Sequence, residues 1–178
     1  MASENFIVPP KSWDEIAALS QEVRTLLGAA NKPFVPVVDI LEKVLDQTME
    51  IISFEVGSLE EMGTAEGLTD PNGNFIRIRE DVYELAHQGD GRARFTLAHE
   101  LGHLFLHTNV PLARCKPGER EKSFRMSEPQ ANQFAAEFLM PRSMISSFDR
   151  PGDIALRHGV SEASATNRID FMRLKGLI

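Results

Sequence analysis

The stretch from Arg92 to Thr108 restricts the fold more than any other, because it has no proline and carries apolar side chains on nearly every side. Phe95, Leu97, Ala98, Leu101, Leu104, Phe105 and Leu106 leave no continuous wet stripe, so a helix here is a central helix surrounded by protein. The same stretch contains His99-Glu100-Leu101-Gly102-His103. Polar groups in the middle of a domain are costly unless something binds them. Histidines four residues apart lie about 40° apart round a helix and about 6 Å along it, so both rings can reach one ion. Glu100, one step round from His99, can address a water in the open position of that ion, as in metallopeptidases that place two ligands and a base on one helix. Gly102 in mid-helix costs about 1 kcal/mol relative to alanine, which points to a second backbone passing close by.

A catalytic zinc usually takes three protein ligands and leaves the fourth position to water. The scheme with a third histidine six residues after the second fails here, since that position is Asn109. His107 lies four residues beyond His103, but three histidines so spaced extend over about 12 Å of straight helix, too far for one ion. It is read as a supporting or packing residue. The gluzincin scheme instead takes a glutamate from a later helix, and Glu128 fits it with Asn132 four positions on. Glu137 is the rival. It lies half a turn round the helix from Glu128, so both cannot face one ion, and Glu128 is preferred. The plain alternative for Glu128 is a helix-start carboxylate favoured by the macrodipole. Tyr83, His87, Arg92 and Arg94 are within reach of the motif in sequence, with a surface role as the simpler reading for each.

Ser12 can cap a first helix built on Trp13, Ile16, Val23, Leu26 and Leu27 and ending near Gly28. A second amphipathic helix is expected from about Val37 to Asp46, and Ile51 to Val56 reads as a strand. Gly63 to Thr69 is a weaker strand candidate. Asp70-Pro71-Asn72-Gly73 is turn chemistry, and Phe75 to Arg79 then alternates apolar with charged, which predicts a β-hairpin. The Phe75–Arg79 strand leads into the histidine helix and is expected to offer its edge to an extended substrate. Val110 to Arg125 is a charged loop. Ser127 and Gln130 have capping-box spacing for a helix that faces Ala131, Phe134, Ala135, Phe138 and Leu139 inward and closes at Pro141. Two short helices joined at His158-Gly159-Val160-Ser161 complete the chain. The expected class is α+β, a mostly helical zincin-like metallopeptidase core with a small antiparallel β-sheet and a C-terminal helical pair. Residues 1–145 are assigned to the peptidase domain with its N-terminal helices, and 146–178 to a small appendage like a helix-turn-helix.

The single cysteine, Cys115, excludes an intramolecular disulfide and a cysteine-rich zinc knuckle. Met1 to Pro10 lacks the basic-then-apolar order of a secretory signal, and no apolar run approaches the about 20 residues of a membrane span. A cytoplasmic protein without membrane contact is expected. The formal net charge of −7 argues against broad nucleic-acid binding. From Arg150 onward five basic residues face three acidic ones, so the tail is read as packing or partner docking.

Taken together, Arg94-Phe95-Thr96-Leu97-Ala98-His99-Glu100-Leu101-Gly102-His103-Leu104 and Glu128-Pro129-Gln130-Ala131-Asn132-Gln133-Phe134-Ala135-Ala136-Glu137-Phe138-Leu139-Met140-Pro141 resemble the ImmA/IrrE family of metallopeptidases. The resemblance is close from Arg92 to Pro141 and weaker in the tail. It implies a zinc-dependent endopeptidase with a gluzincin-like core that cleaves helix-turn-helix repressors and so releases their genes. By position, His99, His103 and Glu128 correspond to the metal ligands, Glu100 to the catalytic acid/base, and Asn132 to the asparagine behind the ligand glutamate. Pro129 departs from the family pattern and must lie where the helix begins. Zn2+ is the implied ion, although histidine and carboxylate ligands also admit Mn2+ or Fe2+. The implied partner is a protein substrate, a helix-turn-helix repressor, with no direct nucleic-acid binding. The alternative is a catalytically silent metal-binding partner of a repressor in a toxin–antitoxin-type pair, in which Glu100 would have no task.

Overall fold

The computed structural model describes residues 6–114 and 122–178. Helix α1 (Trp13–Leu26) starts as expected: Ser12 Oγ accepts the Glu15 N–H, and the Glu15 carboxylate accepts the Ser12 N–H in return. The second helix opens as α2 (Val37–Asp39) and widens into π-type turns over Ile40–Thr48. There the Met49 N–H bonds the Val44 carbonyl, five residues back, at 2.8 Å. Strand β2 (Ser53–Gly57), the short α3 (Leu59–Met62), β3 (Gly67–Thr69), β4 (Phe75–Arg79) and α4 (Glu80–His87) then lead to α5 (Gly91–His107). The expected α+β class is the observed one.

The three strands are ordered β2-β4-β3. β3 and β4 form the expected antiparallel hairpin, with Gly67 opposite Ile78 and Thr69 opposite Ile76. β2 joins the other side of β4 in parallel, Ser53 opposite Phe75. Side-chain alternation is the same for either strand direction, so the sequence pattern did not specify this pairing. As the interior strand, β4 buries Ile76 and Ile78 completely. This corrects the expectation that Phe75–Arg79 offers a free edge; that edge belongs to β3.

A two-residue ladder pairs β1 (Phe6–Ile7) antiparallel with β5 (Ala113–Arg114). Cys115 and the charged centre of the Val110–Arg125 loop fall in 115–121, outside the described residues. Helix α6 (Ser127–Leu139) follows, without the expected capping box. Ser127 Oγ accepts the Phe6 N–H at 3.0 Å, and the Gln130 amide turns to Pro9, Phe124 and His107. Tertiary partners have taken the side chains that local spacing assigned to the helix end. Pro129 sits in the first turn, where its missing N–H is not needed.

Helices α5 and α6 pack against each other closely. A Cβ on Gly102 would lie 3.0 Å from the Ala131 Cα and carbonyl oxygen, so the glycine is what lets the backbones approach. Around them Leu97, Leu101, Phe134 and Phe138 merge with Ile76 and Ile78 of the sheet into one core. Helices α7 (Pro151–His158) and α8 (Glu162–Leu174) meet at Gly159, in the left-handed region with φ 64°. Ile154, Ala165 and Ile169 of this pair belong to the same core. Arg94 ties the turn down: its Nε donates to the Gly159 carbonyl at 2.7 Å, its Nη2 to the Val35 carbonyl at 2.7 Å, and it stacks 3.9 Å above the Phe34 ring. Burial pulls its pKa down to about 10. Arg94 is therefore a strut between elements, not the surface residue its position in a helix start suggested. No described helix is long and apolar enough to cross a membrane.

Candidate metal centre

His99 and His103 lie one turn apart on the same face of α5, and Glu128, the second residue of α6, faces both. His99 Nε2 is 3.3 Å from Glu128 Oε2, and His103 Nε2 is 3.2 Å from Glu128 Oε1. The two Nε2 atoms are 2.9 Å apart. One donor atom from each residue thus lies within 4.8 Å of the others. The three side chains are 14%, 19% and 18% exposed, which places them on the floor of a cleft, neither sealed nor at the surface. Glu137 is elsewhere. It is held by Arg168 at 2.5 Å and Arg142 at 2.8 Å, so of the two glutamates only Glu128 reaches the histidines.

The hydrogen bonds behind the rings decide which nitrogen of each carries its proton. Gln130 Nε2 donates to the carbonyls of Pro9 (3.0 Å) and Phe124 (2.7 Å), which can only accept, so its Oε1 is the atom facing His107 Nε2 at 3.1 Å. His107 Nε2 must then carry a hydrogen. Burial pushes the His107 pKa down to about 4, so the ring is neutral and its Nδ1 has only a lone pair. That lone pair accepts from His103 Nδ1, 3.1 Å away. Asn132 Oδ1 does the same for His99 Nδ1 at 3.1 Å. In the neutral rings this leaves both Nε2 atoms with lone pairs that point at each other and at a carboxylate. Burial alone would lower the pKa of His99, but Glu128, the Glu100 charge and Asn132 together raise it.

Such a set of converging acceptors fits a divalent cation. Nitrogen and oxygen atoms about 2.0–2.2 Å from one tetrahedral zinc are separated by about 3.3 Å, close to the observed 2.9, 3.2 and 3.3 Å. Asn132 stands where its spacing from Glu128 suggested. His107 lies behind the His103 ring, and Gln130 behind it escaped sequence reasoning because it looked like a helix cap.

Glu100, 6% exposed, reaches from α5 to the underside of β3. The Thr69 hydroxyl donates to its Oε2 at 2.7 Å, and a Cβ on Gly67 would fall 2.7 Å from its Oε1. β3 thus lies directly against the motif helix, at a glycine that leaves room for the carboxylate. Neither Gly67 nor Thr69 stood out in the sequence, since a three-residue strand has too little alternation to read. A cleft of about 660 Å³ opens here, bordered by Gly67, Thr69, His99, Glu100, His103 and Glu128. The bonds from Arg79 N–H to Glu66 and from Asp70 N–H to Phe75, 3.0 Å each, set the alternation of the β3–β4 ladder. Leu68 therefore bonds toward β4, while the backbone groups of Gly67 and Thr69 point to the free side.

Tyr83 and His87 do not border this cleft. The Tyr83 hydroxyl donates to Glu42, which with burial pushes its pKa up to about 12, and the His87 ring packs edge-on against Tyr83. Arg92 pairs with Glu66 at 2.6 Å near the rim.

A mostly helical α+β fold with two histidines and a glutamate converging beside an edge strand defines a protein of metallopeptidase type. The family model of the IrrE N-terminal-like domain, a peptidase family, matches residues 58–170, more than half of the chain, and the chain belongs to that family. The matched span contains the three converging residues, Glu100 and β3. No curated protein matches the sequence significantly.

Proposed function

We propose that the protein is a zinc endopeptidase that cuts a helix-turn-helix repressor in the cytoplasm and so releases the genes it controls. His99, His103 and Glu128 are the ligands, Asn132 and His107 position the two imidazoles, and Glu100 is the acid/base. The observation that carries this reading is the convergence of His99, His103 and Glu128 with the Glu100 carboxylate bordering the same cleft. A bound divalent ion supplies Lewis acidity to the scissile carbonyl and makes water a nucleophile near neutral pH. Thr69 holds one oxygen of Glu100, while the other has no hydrogen-bond partner among the described residues. That free oxygen takes the proton of the attacking water and returns it to the leaving amine. Gly67 and Thr69 offer backbone donors and acceptors to a substrate laid along β3 as an added strand. The repressor as target rests on the family resemblance, and the net charge of −7 supports a protein over a nucleic-acid partner.

The test uses the metal-loaded protein and the helix-turn-helix protein encoded nearest its gene, with Glu100→Gln as control. Cleavage is expected to fall about a hundred- to ten-thousand-fold in the variant while its metal content stays the same. A repressor held tightly but uncut with zinc, manganese and iron alike would support the silent-partner alternative instead.

A further inference from the structure

Helix α6 presents Glu128 from its first turn, the part of a helix whose N–H groups have no partners within it and which frays most easily. No described side chain caps that end. A ligand placed there keeps its position only if something outside the helix holds it. One such hold is the segment from Phe6 to Lys11, which lies outside the family-matched residues 58–170.

Its ties fall on both sides of Glu128. The Val8 N–H donates to the Arg125 carbonyl at 2.9 Å and the Lys11 N–H to the Phe124 carbonyl at 3.1 Å, just before the helix. Within the first turn, Ser127 Oγ accepts the Phe6 N–H at 3.0 Å, and Gln130 Nε2 donates to the Pro9 carbonyl at 3.0 Å. The last tie continues to a second ligand, because it helps to turn Gln130 Oε1 toward His107, which accepts from His103. Ile7 stands opposite Ala113 on one side and Met126 on the other, so β1 stitches the chain leaving α5 to the chain entering α6. Val8 and Met126 are 3% and 8% exposed, yet neither belongs to the main core. A part buried outside the main core can open without global unfolding.

We infer that Phe6–Lys11 is a positioning strap for the metal centre. It sets where Glu128 stands against His99 and His103 and, through Gln130 and His107, which nitrogen of His103 faces the ion. The inference rests on those three residues holding a metal, not on the cleavage of any target.

The test compares the full chain with three variants of the strap. Zinc affinity is read against a chromophoric chelator, and coordination geometry from the visible absorption of the cobalt-loaded protein. Val8→Asp puts a charge where the strap is buried and should release it, seen as fast amide exchange at Lys11. Phe6→Pro deletes the N–H given to Ser127, and Phe6→Leu keeps it. Val8→Asp is expected to weaken zinc binding about 10–100-fold, the worth of a partner behind a ligand. It should also alter the cobalt spectrum, while melting of the metal-free protein changes little. Phe6→Pro should lose part of that affinity, and Phe6→Leu should bind as the unaltered chain does. A strap that only adds stability would lower the melting temperature and leave affinity and spectrum alone, and that result overturns the inference. Should Val8→Asp fail to fold, Phe6→Pro and Phe6→Leu decide, and equal affinities in the two overturn it as well. An unaltered chain that binds no zinc would remove the metal centre and the strap's role together. A chain whose zinc affinity follows the strap but which cuts no repressor would remove the endopeptidase reading and leave this inference standing.

Discussion

Helix α6 carries two glutamates nine residues apart, Glu128 and Glu137, and each ends in a polar cluster sunk into the protein, yet the clusters are opposite in kind. Around Glu137 the donors outnumber the acceptors: Arg168, Arg142 and Gln133 all give hydrogens to it, and the charges close on themselves. Around Glu128 the described partners of the trio are acceptors, because Asn132 and His107 have drawn the ring hydrogens of His99 and His103 outward. The first arrangement is complete with protein atoms alone. The second brings two ring nitrogens and a carboxylate together round one point, and that convergence, more than burial or residue type, separates a site from a structural ion pair.

Substitutions can break the comparison from either side. The largest effect belongs to Glu128→Ala, which should weaken zinc binding by more than the about 10–100-fold that a supporting residue is worth. Competition with a chromophoric chelator reads this, and unfolding of the metal-free variant should change little. Glu137→Ala should do the reverse. It leaves Arg168, 2% exposed, without its counter-charge, and the expected loss is about 3–5 kcal/mol in urea unfolding with zinc affinity retained in the folded protein. If both variants lost metal and stability together, the two ends of α6 would not be separable.

Smaller effects sharpen the account of the rings. Asn132→Ala and His107→Phe each remove an acceptor that fixes a ligand tautomer, and each should cost about 10–100-fold in zinc affinity. Nitrogen chemical shifts of His103 in the metal-free protein would show mixed tautomers in His107→Phe if the assignment is right. The smallest effect concerns His158, in the arginine-rich half. Its Nδ1 donates to the Pro33 carbonyl at 2.9 Å. Burial first, and then Arg157, lower its pKa below the usual value near 6.5. The unfolded chain therefore binds this proton more readily than the folded one, so the contribution is complete above about pH 6.5 and is lost as pH falls through the folded pKa. Melting temperatures of the metal-free protein should drop over that range, and His158→Gln should flatten the profile.

Much of this site could be read before the structure. The apolar run around His99 and His103 demanded a buried helix, Gly102 announced the neighbouring backbone that proves to be Ala131, and the half-turn between Glu128 and Glu137 allowed only one of them to face the histidines. What escaped were residues whose meaning depends on distant partners. Gln130 looked like a cap and is the end of a hydrogen-bond chain to His103 through His107. Arg94 looked solvated and is locked between Val35 and Gly159. The free edge was assigned to the better-patterned strand, although pairing on both sides makes Phe75–Arg79 interior and leaves the poorly patterned Gly67–Thr69 at the cleft.

By itself, then, the sequence determined the helices, the hairpin and the residues able to gather round one ion, because helical phase and hydrophobic periodicity are local properties of the chain. Tertiary structure alone decided that β2 runs parallel to β4, that β3 lies over Glu100, and that the protons of His99 and His103 face away from Glu128. Those outcomes depend on which distant donors and acceptors meet, and no local pattern of side chains encodes such a meeting.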